Sequence, residues 1–367
     1  MSTYDLYSSP VPPGTWDVPA AGAARFTWEY DDGRQRLLDL YQRGKDKQWD
    51  ATKRIDWDQD VDPANVMEGG EETVPIYGSN QWEKLNQKER DQVKHHMSSW
   101  LFSQFLHGEQ GALTVAARII ESVPDIDSKF YAATQAMDEA RHVELFHRFL
   151  RDKIGMYYPI NDDLGQLLAD ALSDGRWDMP YLGMQVLIEG LALAAFGVHR
   201  DMSQNMLVKQ LLAYVMQDEA RHVAFGRLAL RDYYKELTSA ELADREEFVV
   251  EGCYLMRNRF IAREVWETLG LDVEECVKFT DQSEMQQAFR QFLFSRIVPC
   301  VKDIGLWGPK VQHAYVDLGV IDAASSDLEA LMRDDEEIAE RMEREHAAEF
   351  ATRQEEVDAA IASGAGS

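Results

Sequence analysis

Asp138-Glu139-Ala140-Arg141-His142-Val143 recurs letter for letter as Asp218-Glu219-Ala220-Arg221-His222-Val223, 80 residues further along the chain. Thirty residues before Glu139 stands Glu109, in His107-Gly108-Glu109-Gln110-Gly111-Ala112-Leu113. Thirty before Glu219 stands Glu189, in Leu187-Ile188-Glu189-Gly190-Leu191-Ala192-Leu193. Each half therefore reads as one helix carrying a Glu and a second carrying Glu-x-x-His, a duplicated αα-hairpin. Residues three apart on a helix share a face, with roughly 5–6 Å between Cβ atoms. A carboxylate and an imidazole at that spacing share one cation, and the Glu of the neighbouring helix completes each half. Glu109 and Glu189 sit in small, apolar runs, where an unpaired carboxylate is costly. Four buried carboxylates close together repel and are driven to take up protons. Two divalent cations remove that conflict, and an oxygen-rich set with imidazole suits iron or manganese better than a soft metal. The plainer alternative is a pair of surface helices laced by Glu–Arg–His salt bridges. It leaves the apolar surroundings of Glu109 and Glu189 unexplained.

One Glu from each of two helices plus Glu-x-x-His from each of the other two is the ligand set of ferritin-like di-iron and di-manganese bundles. Over residues 86–236 the chain resembles the ferritin-like di-iron carboxylate superfamily. The form Asp-Glu-x-Arg-His in both halves is similar to that of the bacterial multicomponent monooxygenase hydroxylases and, in part, of ribonucleotide reductase small subunits. The resemblance implies an all-α fold, a ferritin-like four-helix bundle with additional C-terminal helices. It implies Glu109, Glu139 and His142 on one metal, Glu189, Glu219 and His222 on the other, and Glu139 and Glu219 as bridges. Asp138 and Asp218 would each hold the imidazole of the opposite half in its ligating tautomer, with Arg141 and Arg221 paired to those aspartates. For each Arg an ordinary intrahelical or surface salt bridge is the alternative.

The departures are specific. Phe146 stands where the reductase subunits place their radical Tyr, which argues against a conventional tyrosyl radical there. Leu193 stands where the soluble hydroxylases commonly place a Thr, which weakens transfer of their proton delivery. Val215 stands where arylamine N-oxygenases of the superfamily carry an extra His. Rubrerythrins add paired CxxC knuckles, which Cys253, Cys276 and Cys300 do not supply. Ferritins are shorter and need no long extension after the bundle.

The 367 residues are enough for one large domain or two ordinary ones. With 38 basic and 65 acidic residues the net charge is −27 and the pI about 4.7. Such a chain repels phosphate, which argues against nucleic-acid binding and against an anionic membrane surface. No uninterrupted apolar run approaches the roughly 18 residues of a transmembrane helix, and Met1–Pro13 lacks a secretory pattern. Three widely spaced cysteines give no disulfide framework. A cytoplasmic location is expected.

Residues 1–85 read as an N-terminal arm and loops, with a short helical pattern in 36–60. Asn86 followed by Glu89 is a helix-start signature, and Pro124 ends that helix near Ser122. Further helices are expected at about 126–152, 163–173, 180–203 and 205–236, giving the bundle over 86–236. Accessory helices over 237–320 fall at about 241–269 and 282–303. The tail, 321–367, holds 14 acidic and four basic residues and reads as an acidic helical or disordered segment.

Among other candidates, His107, His147 and His199 lie off the ligand faces and read as packing residues, and His95-His96 as solvated. Tyr131 reads as core near the metals. Trp49, Trp57 and Trp100 are either packing residues or carriers of electrons. Phe105, Phe146, Phe196 and Phe225 line an apolar pocket or simply fill the core. No phosphate-cradling or dinucleotide-binding loop is present. The expected activity is that of an O2-activating non-haem di-iron oxidase or monooxygenase, an oxidoreductase with two Fe ions, or a Mn/Fe pair, and O2 as co-substrate. It would act on a small organic substrate, take electrons from an external ferredoxin or reductase, and form a homodimer. The alternatives are a ferroxidase or iron-handling protein, or a Mn/Fe radical-generating or ligand-binding oxidase.

Overall fold

The computed structural model describes residues 2–344, apart from Pro13, Asp32, Met332, Asp335, Glu336, Ala339, Met342 and Glu343. The expectation for the tail beyond Arg344 lies outside the described residues. Among these residues the chain is helical, without a strand. An isolated bridge between Tyr7 and Tyr157 ties the N-terminal arm to the loop after the second bundle helix.

Helix α1 (Gln35–Asp46) precedes a stretch of short turns. Helix α2 (Gln87–Ser122) starts at the reciprocal Asn86–Glu89 cap, in which Glu89 N donates to Asn86 Oδ1 at 3.2 Å and Asn86 N donates to Glu89 Oε2 at 2.8 Å. That cap satisfies two backbone donors which a helix end otherwise leaves open. Helix α3 (Ile126–Phe149) starts at Asp125 and closes in a π-helical turn, Leu150–Ile154. Helix α4 (Asp162–Ser173) is capped by Asn161. Helix α5 (Asp178–Met202) contains π-helical turns over Leu182–Ile188, immediately before Glu189. Helix α6 (Met206–Tyr233) starts at Asn205.

Helices α2 and α3 form one hairpin and α5 and α6 the other; α3 also packs on α6, and α1 lies across both. Helix α5 is long and apolar enough to cross a membrane by length and composition, yet 89% of its most apolar window is buried inside the molecule. Its hydropathy is that of a central core helix. Gly226 lets α6 approach α5: a Cβ there would lie 2.5 Å from Gln185 Cβ.

The segment expected as one helix over 241–269 breaks. Helix α7 (Ser239–Asn258) ends in a 3-10 turn, Arg259–Ile261, and Ala262 takes a left-handed conformation with φ 54°. No proline or glycine marks the break. Helix α8 (Val273–Gln282) was not expected, and the segment read as 282–303 divides into α9 (Glu284–Leu293) and α10 (Ile297–Asp303). Helix α11 (Pro309–Asp317) follows. Helices α7, α9 and α10 pack against α5.

Candidate metal centre

Glu109 comes from α2, Glu139 and His142 from α3, Glu189 from α5, and Glu219 and His222 from α6, so each bundle helix supplies one part of the doubled pattern. All six side chains are buried. Glu109, Glu139, His142 and Glu219 offer atoms within 4.8 Å of one another, and so do Glu139, Glu189 and His222. Glu139 belongs to both groups. His142 Nδ1 lies 3.2 Å from Glu109 Oε2, 3.2 Å from Glu139 Oε2 and 3.3 Å from Glu219 Oε1. His222 Nδ1 lies 3.1 Å from Glu139 Oε1 and 3.5 Å from Glu219 Oε1. Glu219 therefore also stands between the two imidazoles.

The aspartates preceding the paired ligands cross the repeat. His142 Nε2 is 3.0 Å from Asp218 Oδ2, and His222 Nε2 is 3.3 Å from Asp138 Oδ2. A carboxylate accepts, so each Nε2 carries a proton, and each Nδ1 is turned toward the glutamates, where it can ligate a metal once it has given up its own proton. Arg141 Nη2 reaches Asp138 at 2.6 Å and Asp218 at 2.8 Å. Arg221 pairs with Asp218 and lies 3.6 Å from Asp138. These charges are nearly fully buried, which makes each dependent on its partner.

Three further residues complete the setting. The Gln135 amide donates to Glu139 at 3.1 Å and to Glu189 at 2.7 Å, and so holds two carboxylates that would otherwise repel. Gln48 donates to Asp138 at 2.7 Å and accepts from Arg141 at 2.8 Å. Trp49 Nε1 donates to Asp218 Oδ2 at 2.8 Å, beneath the Arg141 guanidinium and stacked on Tyr214. Gln135 lies one turn before Glu139, a spacing that points to it. Gln48 carries no local signal, because its contacts span some 90 residues of chain.

The electrostatics are those of a cluster short of positive charge. Burial, reinforced by the Glu219 charge, raises the Glu109 and Glu189 carboxyls well above the usual range. Burial would raise Glu139 as well, but His222 and His142 outweigh it and lower that group. Burial works against charged His142 and His222, yet the facing glutamates raise both well above an ordinary imidazole. Without metal, protons hold the cluster together. Glu189 Oε2, both Glu219 oxygens and His222 Nδ1 are buried without a hydrogen-bond partner. Buried polar atoms left open in this way fit bound cations. The donor set, four carboxylates and two imidazoles, fits a pair of iron or manganese ions.

One cavity adjoins the cluster and a second lies beyond it. The inner one, about 20 Å³, is lined by Glu109, Glu189, Glu219, Phe105, Phe196 and Arg259 among others. The outer one, about 170 Å³ and apolar, lies against Met97, Trp100, His199 and Phe289. Phe260 belongs to both walls. Phe105 and Phe196 thus face the cavity, with rings 4.7 Å apart, whereas Phe225 packs on Tyr131 at 4.4 Å. Phe146 stacks on Phe196. His199 borders the outer cavity, and His107 bonds the Tyr158 carbonyl, away from the ligands. His95 and His96, expected in solvent, are half-buried against the Ile154 carbonyl and the Tyr158 hydroxyl. Trp57 lies under Arg148, and Trp100 donates to Glu264.

A family model described as p-aminobenzoate N-oxygenase AurF matches residues 30–188. That stretch holds Glu109, Glu139 and His142 and stops one residue short of Glu189. No curated protein matches the chain. Among solved structures, an R2-like ligand-binding oxidase with an aerobically reconstituted metal cofactor is 17% identical and covers 76% of this chain and 100% of its own, with a TM-score of 0.49. A variant R2-like ligand-binding oxidase with an anaerobically reconstituted Mn/Fe cofactor is 17% identical, with the same coverages and a TM-score of 0.44.

Proposed function

Taking as premise that this chain is an all-α protein of the ferritin-like di-iron carboxylate superfamily, we propose that it is an oxygenase or oxidase that activates O2 at two iron ions, or at one manganese and one iron, to oxidise a small organic substrate. The match to an N-oxygenase family model supports the reaction class. The carrying observation is the buried convergence of four glutamates and two imidazole Nδ1 atoms, with both Nε2 atoms turned to aspartates.

Glu109, Glu139, His142 and Glu219 would hold one ion, and Glu139, Glu189 and His222 the other. The bound metals would supply the oxidising power. The chain's own residues do the rest. Asp138 and Asp218 fix the imidazole tautomers, Arg141 and Arg221 pair with those aspartates and hold them in place, and Gln135 holds Glu139 and Glu189 in place. The phenylalanines beside the inner cavity exclude water. Trp49, bonded to the same Asp218 oxygen as His142, gives an external ferredoxin or reductase a short covalent and hydrogen-bonded route inward. A cytoplasmic location belongs to the same reading, and the three free cysteines are buried.

The test is reduction of the iron- or manganese-loaded protein under anaerobic conditions, followed by O2. One O2 consumed for each reduced pair, with no further uptake until reductant is added, supports the reading. Continuous oxidation and deposition of added ferrous iron would instead make it an iron-handling protein.

A further inference from the structure

Phe26, Trp28 and Tyr30 are 85%, 81% and 66% exposed, the three most exposed large apolar side chains among the described residues. They stand at alternate positions of Arg25-Phe26-Thr27-Trp28-Glu29-Tyr30-Asp31, and Thr27 between them is half-buried. Residues 23–30 form neither helix nor turn, and none takes a left-handed conformation. The segment therefore runs extended, with its three rings on one outward face. It is tied down at both ends. Arg25 N donates to Glu121 O at 2.8 Å near the end of α2, and Arg34 N donates to Asp127 Oδ2 at 2.8 Å near the start of α3. Between those anchors, residues 26–31 make no backbone–backbone hydrogen bond among the described residues; Glu29 N donates only to the Thr27 hydroxyl, at 3.2 Å. Arg25 and Asp31 are exposed as well, and neither has an ion pair among the described residues. An extended segment with open backbone groups and a row of exposed rings is a template for another strand.

We propose that this segment pairs with the same segment of a second copy of the chain, antiparallel and in register about Trp28, so that two chains associate about a twofold axis through their N-terminal arms. That register sets Trp28 opposite Trp28, Phe26 opposite Tyr30 twice, and Arg25 opposite Asp31 twice. Aromatic pairs and opposite charges are the favourable cross-strand neighbours. Other registers lose them. Parallel pairing sets Arg25 against Arg25, Glu29 against Glu29 and Asp31 against Asp31. A slip of one residue turns one row of rings to the opposite face. A slip of two residues sets Glu29 opposite Glu29 in one direction and leaves Tyr30 opposite Ala24 in the other. The occupant is a second copy because rings and charges alike are their own complements under a twofold axis. The metal centre stands apart from this contact. Glu109 and Glu139 lie twelve residues from Glu121 and Asp127 along α2 and α3, about 18 Å at the helical rise per residue.

The experiment is analytical ultracentrifugation of the full chain over a concentration series. Wild type is expected to pass from the 42.0 kDa chain to twice that mass as concentration rises. Trp28→Ser is expected to remain a single chain throughout, with the helical circular dichroism and metal content of wild type. Arg25→Glu and Asp31→Arg each place like charges opposite one another, and each is expected to weaken association at least about tenfold. Mixed in equal amounts, the two variants are expected to regain wild-type association, since each supplies the charge the other lacks. Register is read by mixing Phe26→Cys with Tyr30→Cys under a mild oxidant, which is expected to crosslink the two variants to each other far faster than either to itself; the native cysteines are buried. Wild type that stays a single chain at every concentration, a dimer that Trp28→Ser leaves intact, or a mixture of the charge variants no tighter than either alone would each overturn the proposal. So would Phe26→Cys crosslinking to itself as readily as to Tyr30→Cys.

Discussion

Asp218 Oδ2 accepts at once from the His142 imidazole, at 3.0 Å, and from the Trp49 indole, at 2.8 Å. One oxygen atom thus joins a candidate ligand side chain of the first half-repeat, an aspartate of the second, and a residue that precedes the bundle. Asp218→Asn keeps the shape but removes the charge that Arg141 and Arg221 both use. The expected result is a loss of about 10–100-fold in metal affinity, measured by chelator competition, with a fall of about 3–5 kcal/mol in stability from the stranded guanidinium groups.

Trp49→Phe keeps the ring and its packing on Tyr214 but deletes the donor to Asp218. Metal content is expected to be unchanged, and reduction by a protein donor to slow by about tenfold or more. Reduction by a small diffusible reductant should proceed at the wild-type rate. Stopped-flow absorbance with each reductant checks this, and equal slowing with both would remove Trp49 from the electron route.

The raised carboxyls give the metal-free protein a defined pH dependence. Glu109 and Glu189 bind protons in the folded state that they release when unfolded, so they lower stability as pH rises above the ordinary carboxyl range. His142 and His222 contribute stability that is complete below the ordinary imidazole value and is lost as pH rises through their raised folded values. Metal binding must displace these protons, so it strengthens with pH. The difference in thermal midpoint between metal-loaded and metal-free protein is therefore expected to widen between about pH 5.5 and 8. Scanning calorimetry of both forms across that range is the check, and a narrowing gap would contradict it.

Gln135→Leu removes the amide that donates to Glu139 and Glu189. Two buried acceptors then lose their donor, and the metal-free protein is expected to lose about 1–3 kcal/mol in denaturant unfolding. The metal-loaded protein should lose less, since bound cations satisfy the same oxygens.

The bundle was legible because its signals are local and doubled. Asn86 and Glu89 mark the start of α2, Pro124 its end, and the repeat of Asp-Glu-Ala-Arg-His-Val places matching faces on α3 and α6. The crossing of Asp138 to His222 and of Asp218 to His142 follows once two equal halves face each other. What the letters did not show depends on distant chain or on backbone geometry. Gln48 meets Asp138 only because α1 lies across the bundle. The π-helical turns before Glu189 leave no compositional trace. The break after α7 carries no proline or glycine, and Ala262, which takes the left-handed conformation there, has no turn preference, so the segment 241–269 reads as unbroken.

Metal content of purified protein, produced with iron and manganese both supplied, tests the central claim most directly. Elemental analysis of wild type and Glu139→Ala is expected to give about two ions per chain for wild type and a loss of both from the variant, because Glu139 belongs to both ligand groups. Wild type without stoichiometric iron or manganese, or a variant that keeps both ions, would contradict it.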